Sequence, residues 1–242
     1  MQVHQAKSNR LAFIAALFVL LTAVTIPSLA QGGGGDMQQK VAALKQSVQE
    51  NQQRLHQYQW VETQQITLKG EPKPPKQNLC KYGPDGQVQK VPIGEQQPEQ
   101  PSGGRLKQRV VEKKKAEMQD YMGDVKSLLS MYVPPNPQKI QAAVQAHNVS
   151  LVPGGGGVVQ LVFKNYAQPG DQLTFSYDTA AKKIQSLNVN TYMGQAKDVV
   201  TLAVQFASLP DGTNYAQQTV LDATAKQLQV TTTNSQYSKL GQ

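Results

Sequence analysis

The chain is poor in the residues on which much protein chemistry depends. It has one cysteine, Cys80, in 242 residues. No intramolecular disulfide is available, so the fold must be held by its core. Cys80 sits in an alternating run, where a free thiol behaves as a small buried hydrophobe. An intermolecular disulfide is its other use, without a CxxC pair or a nearby histidine to support it. The three histidines are His4, His56 and His147. They are far apart and lack the H-E-x-x-H spacing, so no metal site is expected. Aromatic residues make up 6% of the chain and tryptophan occurs once, too little for a carbohydrate or base-stacking platform.

Catalytic signatures are missing as well. There is no G-x-S-x-G elbow for a nucleophilic serine. The run Gly154 to Gly157 leads into Val158 on a strand, whereas a phosphate loop needs Gly-Lys-Ser/Thr opening a helix. Asp171, Asp178, Asp198, Asp211 and Asp222 fall at turns, where aspartate bonds its own backbone, and no two form an acid–base pair. The expectation is a protein that is not an enzyme and carries no catalytic residue, metal or cofactor. A hydrolase would require a serine, a histidine and a carboxylate brought together by the fold.

Acid is in deficit: 24 Lys and Arg against 16 Asp and Glu give a net charge of +8. Such a surplus favours anionic surfaces. Nucleic acid is not an expected partner, since no recognition motif accompanies the charge. The basic residues cluster at Arg105, Lys107, Arg109, Lys113, Lys114 and Lys115, interrupted by Glu112. This is either a solvated helix face or a contact for anionic lipid.

At the N-terminus Lys7 and Arg10 precede the apolar run Leu11 to Val24, and Ile26-Pro27-Ser28-Leu29-Ala30 ends in a small-x-small pattern. Residues 1–30 are therefore expected to be a secretory signal peptide cleaved after Ala30, with the mature protein periplasmic or extracellular. An uncleaved anchor is the rival reading, but the run is shorter than the ~20 residues that span a bilayer. Gln31 at the cleavage point excludes an acylated cysteine there. Cleavage removes Lys7 and Arg10 and no acid, which lowers +8 to +6. Residues 31–35 read as a flexible glycine-rich spacer, and 36–242 as one α+β domain.

Asp36 offers an N-cap to a helix with Met37, Val41, Leu44, Val48, Leu55 and Tyr58 on a stripe of period seven. A coiled-coil dimer would use the same stripe, but e/g charge pairs are lacking. Trp60 to Gly70 changes to a Thr- and Gln-rich, edge-like strand. A hairpin follows, Gln77 to Tyr82 and Gln87 to Ile93, around the turn Gly83-Pro84-Asp85-Gly86. Residues 95–104, rich in Gln, Pro, Ser and Gly, read as a mobile loop. Helical spacing returns from Arg105 to about Tyr132 through Leu106, Val110, Met118, Tyr121, Val125, Leu128 and Leu129, and stops at Pro134-Pro135. Asn136-Pro137 opens a short helix through Ile140 and Val144 to His147.

From Val158 to Leu240 alternation of period two, broken by Gly, Asp, Pro and Asn, predicts about six antiparallel strands. The fold class is α+β: a curved antiparallel sheet, half-barrel-like, with helices packed on its concave face. Its inward residues Phe163, Phe175, Leu187, Val189, Leu202, Val204 and Phe206 would line an apolar cavity for acyl chains if the helices cover them only in part. If the cover is complete they form a filled core. Patterning does not separate the two.

This order of elements resembles the periplasmic lipoprotein carriers of the LolA/LolB-like group, in which an N-terminal helix and short helices pack into a curved antiparallel sheet. The hairpin Tyr82-Gly-Pro-Asp-Gly86 and the closing segment Leu209-Pro-Asp-Gly-Thr-Asn-Tyr215, with Ser235-Gln-Tyr237 after a further strand, turn and strand, are similar to those of uncharacterised exported proteins. The resemblance implies a lipid or acyl-chain ligand in the concavity. No functional residue carries over, because the chain has no cargo or docking motif and adds the 95–104 loop and two central helices. The expected function is thus binding of an apolar, lipid-like ligand by an exported protein. The alternative is an envelope interaction module with a filled core.

Overall fold

The computed structural model describes Ala42, Gln46 and residues 49–94 and 105–241. The expected signal peptide, the glycine spacer, the 95–104 loop and most of the first helical stripe lie outside the described residues. Residues 49–55 are the end of a first helix, α1. The chain then runs through β1 (Tyr58–Leu68), β2 (Glu71–Pro72), β3 (Lys76–Tyr82), β4 (Val88–Ile93), α2 (Arg105–Leu129) and α3 (Pro137–Gln145). Seven strands follow: β5 (Val149–Gly155), β6 (Val158–Lys164), β7 (Gln172–Asp178), β8 (Lys183–Tyr192), β9 (Val199–Ser208), β10 (Asn214–Ala223) and β11 (Leu228–Lys239).

Among the described residues these strands form one open antiparallel sheet in the order β4-β3-β1-β11-β10-β9-β8-β7-β6-β5, with β2 added beside β1. The α+β class with a curved sheet is as the sequence implies. Three local expectations change. The Thr- and Gln-rich β1 is not an edge: it lies between β3 and β11, and the edges are β4 and β5. Val149–Gly155 is a strand, although Val152 to Gly157 reads in the sequence as a connection into the sheet. Tyr58 belongs to β1 and not to the helical stripe.

Opposed residues in antiparallel strands share a face, and the register shows what that face carries. Val149, Phe163, Leu173, Val189, Leu202, Leu221, Val230 and Ile66 form one directly opposed row from β5 to β1. The next row is Leu151, Leu161, Phe175, Leu187 and Val204, then Thr219, Thr232 and Gln64. Both rows are therefore apolar from β5 to β9, and from β10 onward the second row turns polar while the first stays apolar.

Helices cover the apolar part. α2 contributes Tyr121, Val125, Leu128 and Leu129, and α3 contributes Ile140 and Ala143, to one core with the sheet. Phe163 and Phe175 meet edge to face at 6.0 Å. Burial of side chains of this size contributes roughly 2–3 kcal/mol each. α3 starts as its sequence requires: Asn136 Oδ1 accepts from the amides of Gln138 (2.8 Å) and Lys139 (3.2 Å), and Pro137 fills the first helical position. The hairpin turn also forms as expected, with the Gly86 amide donating to Gly83 O at 2.9 Å and Gly86 at φ +73°. Among the described residues no helix is long and apolar enough to cross a membrane.

A polar pin fixes the end of α2 to the sheet. The Asp171 carboxylate is 2% exposed and accepts from the amides of Tyr166, Ala167 and Gln168 and from the hydroxyl of Tyr132. Tyr132, itself fully buried, also meets Thr191 Oγ1 at 2.7 Å. Asp171→Ala leaves these donors without an acceptor and should cost roughly 3 kcal/mol, while Tyr132→Phe should cost about 1–2 kcal/mol. Urea denaturation of the two variants measures both, and near-neutrality of Asp171→Ala would show that the pin does not hold the fold.

Candidate ligand-binding site

The inner face does not end where α2 and α3 stop covering it. Beyond the polar residues Thr219, Thr232 and Gln64, the sheet carries a group of aromatic side chains. Trp60 of β1 is stacked on Tyr237 of β11, with ring centres 5.5 Å apart and planes inclined by 12°. Tyr237 meets Tyr215 of β10 at 4.4 Å. Trp60 meets Tyr82 of β3 at 5.4 Å, and His56, just after α1, stacks on Tyr82 at 4.5 Å. These rings come from both ends of the chain.

Two β-bulges place them. Between Gln59/Val61 and Ser238/Ser235, β11 spends one residue more than β1. Gln236 takes φ +54° there, and the extra residue shifts the alternation so that Tyr237 joins Trp60 on the inner face. A second bulge lies between Ala216 and Gln218 of β10 against β9. Bulges beside a site re-aim side chains in this way.

The rings surround a cavity of about 40 Å³ bounded by Asn51, Leu55, Trp60, Tyr82, Phe206, Asn214, Tyr215, Ala216, Asn234 and Tyr237. Its wall carboxamides are already engaged. Asn51 and Asn214 bond reciprocally, the Asn51 amide donating to Asn214 O and the Asn214 backbone amide donating to Asn51 Oδ1. Asn234 Oδ1 accepts from Trp60 Nε1 at 3.1 Å, and its Nδ2 donates to Ala216 O at 2.8 Å. Asn214 Nδ2 donates to Ile184 O at 2.8 Å. The carboxamides are therefore spent within the protein, and the rings of Trp60, Tyr82, Phe206, Tyr215 and Tyr237 make up most of the rest of the wall.

Beside the rings is a buried ion pair. Glu62 is 1% exposed, and both its oxygens lie 2.6 Å from Lys90 Nζ. Asn78 Nδ2 approaches Glu62 Oε1 at 3.4 Å. Cys80, opposite both Trp60 and Lys90, is fully buried. Burial, with the Glu62 carboxylate adding to it, pushes its thiol up to about 12, which makes it an inert hydrophobe at neutral pH.

Of the seven residues expected to line a cavity, the structure places Phe163, Phe175, Leu187, Val189, Leu202 and Val204 in the core under α2 and α3, each at most 2% exposed. Phe206 alone borders the cavity, half-buried. Trp60, Tyr82, Tyr215 and Tyr237 were not singled out by alternation, because they stand at strand ends or across a bulge. Of the basic cluster, Arg109, Lys113, Lys114 and Lys115 are exposed on α2, and Arg105 and Lys107 are placed by the helix backbone alone. Among the described residues no three His, Cys, Asp or Glu side chains gather as a metal would need.

No known family matches the chain, and no curated protein matches it. The crystal structure of a DUF1329 family protein from Desulfovibrio piger is a distant structural neighbour, with 12% sequence identity and a TM-score of 0.37 over 84% of this chain and 94% of that one. A likeness so loose carries no argument about function.

Two measurements check the chemistry of the site. Lys90→Met strands the Glu62 carboxylate in a buried setting and should lower stability by about 3–5 kcal/mol, whereas Glu62→Met with Lys90→Met should restore most of the loss. Equal stabilities of the single variant and the wild type in urea would refute the pairing. Burial raises Tyr82 to about 12, and burial with the neighbouring Tyr82 and Tyr215 phenols raises Tyr237 further. Stability from these groups is complete below the ordinary tyrosine value near pH ~10 and is lost as pH rises through about 12. Phenolate absorbance should therefore appear late and together with unfolding.

Proposed function

We propose that the protein is an exported, non-catalytic binding module that takes an apolar, lipid-like ligand at the aromatic end of its sheet. The observation that carries this reading is a cavity walled by Trp60, Tyr82, Phe206, Tyr215 and Tyr237 whose neighbouring carboxamides are bonded within the protein. A sugar or other polar ligand gains affinity from free donors and acceptors. Here an occupant gains chiefly by leaving water. At about 40 Å³ the space holds the tip of an alkyl chain. A longer stretch of chain requires the described end of α1 to move, which breaks the Asn51–Asn214 bonds and uncovers Leu55.

The non-catalytic part of the reading rests on how the carboxylates are used. Asp171 and Asp178 accept from backbone amides of their own turns, and Asp211 accepts from the Thr213 amide and the Tyr58 hydroxyl. The Tyr58 hydroxyl and Thr213 amide hold the Asp211 carboxyl down at about 2, so it is a poor proton carrier at neutral pH.

A second reading has its own support. Six of the seven inward residues expected to line the cavity are packed into the core, which suits an interaction module that meets a partner through its surface. One titration decides between them. Trp60 is the only tryptophan in the chain and it stands in the cavity wall, so its emission reports occupancy. Added oleate should change that emission saturably, and Tyr215→Lys or Phe206→Lys should weaken the binding about tenfold or more. An unchanged Trp60 signal, together with no lipid extracted by organic solvent from protein made in an exporting host, favours the filled-core reading.

A further inference from the structure

We propose that the N-terminal half of α2 is a docking surface for anionic bilayers. α2 is 25 residues long, yet the residues it sends into the core, Tyr121, Val125, Leu128 and Leu129, all lie in its second half. The first half continues the same helical face, and among the described residues no strand lies beneath it. Val110 precedes Tyr121, and Val111 precedes Met122, by eleven residues, close to three full turns. Each pair therefore shares a direction. Tyr121 is 8% exposed, while Val110 and Val111 are 54% and 53% exposed.

Around these valines Arg109, Lys113, Lys114 and Lys115 are all exposed. Arg105 and Lys107 stand on the preceding turn, and Glu112 and Glu117 are the acidic residues of this half. An uncovered pair of branched apolar side chains inside a field of long cationic ones is the arrangement of an interfacial helix. The valines enter the headgroup boundary and the lysines reach outward to lipid phosphates. Charge selects the occupant: a chain of net charge +8, lowered to +6 without Lys7 and Arg10, with its basic cluster on this half of the helix fits an anionic sheet of phosphates better than a second, equally basic copy of itself. This surface is separate from the cavity and does not depend on what the cavity holds.

The test is co-sedimentation of the mature chain, residues 31–242, with vesicles. Vesicles of phosphatidylcholine and phosphatidylglycerol in equal parts should bind it, and phosphatidylcholine alone should not. Added salt should release it. Lys113→Glu with Lys114→Glu and Lys115→Glu should weaken binding about tenfold or more, and Val110→Ser with Val111→Ser should weaken it while the protein still responds to anionic lipid. Urea denaturation confirms that these variants fold, which their exposure favours. Equal binding to both vesicle types, undiminished binding by the glutamate variant, or self-association that depends on Val110 and Val111 would each overturn the proposal.

Discussion

The ladder between β1 and β11 is the constraint on which the rest of the molecule depends. It pairs Tyr58 with Lys239 at one end and Leu68 with Leu228 at the other, so the first strand of the sheet lies against the last. Without it the sheet splits in two. The β3–β4 hairpin reaches the remaining strands only through β1, and the rings of the cavity would separate, since Trp60 and Tyr82 come from one side of the ladder and Tyr215 and Tyr237 from the other. Contacts this distant in sequence form at a high cost in loop entropy. The meander β5 to β11, whose neighbours are joined by short turns, provides the surface on which β1 completes the sheet.

The inner face of that sheet has two chemistries, and the change between them is set by a few positions. In one opposed row Val204 is followed by Thr219, Thr232 and Gln64, while the adjacent row remains apolar through Leu221, Val230 and Ile66. Where both rows are apolar, α2 and α3 pack and the core fills. Where polar residues enter, the end of α1, the aromatic rings and the Glu62–Lys90 pair take the place of α2 and α3. A buried pair contributes little net stability beside a hydrophobic alternative, but each partner makes the other obligatory. Here the pair neutralises itself beside the rings, so the aromatic end carries no uncompensated charge into its apolar wall.

Most of the sheet is legible in the sequence because period two survives in β6 to β11 and its β-branched and aromatic residues mark one face. Phe163, Phe175, Leu187, Val189, Leu202 and Val204 all point inward as alternation requires. What the pattern does not contain is depth: the same residues could border a void or fill it, and only the position of α2 decides. β5 was hidden because Pro153 and the glycines after it outweigh the alternation of Val149 and Leu151. The aromatic site was hidden for a different reason. A bulge inserts one residue and reverses parity, so Tyr237 reads as outward when counted from Asn234 yet stacks on Trp60 in the structure. Strand order is also absent from local pattern: the Thr and Gln content of β1 suggested an edge, whereas its polar residues face the polar part of β11.

α2 shows how one amphipathic pattern can serve two environments. Its apolar positions recur along the whole helix, and the sheet beneath meets only the second half. From sequence the two halves look alike, because periodicity reports a face and not what lies against it. The difference arises from where the helix is anchored. Pro134 and Pro135 stop the chain just after it, and Tyr132 ties that end to Asp171 at the β6–β7 turn. Anchoring at the C-terminal end fixes which turns reach the core and leaves the basic turns projecting, so the Tyr132–Asp171 bond positions both the cover of the core and the exposed cationic surface.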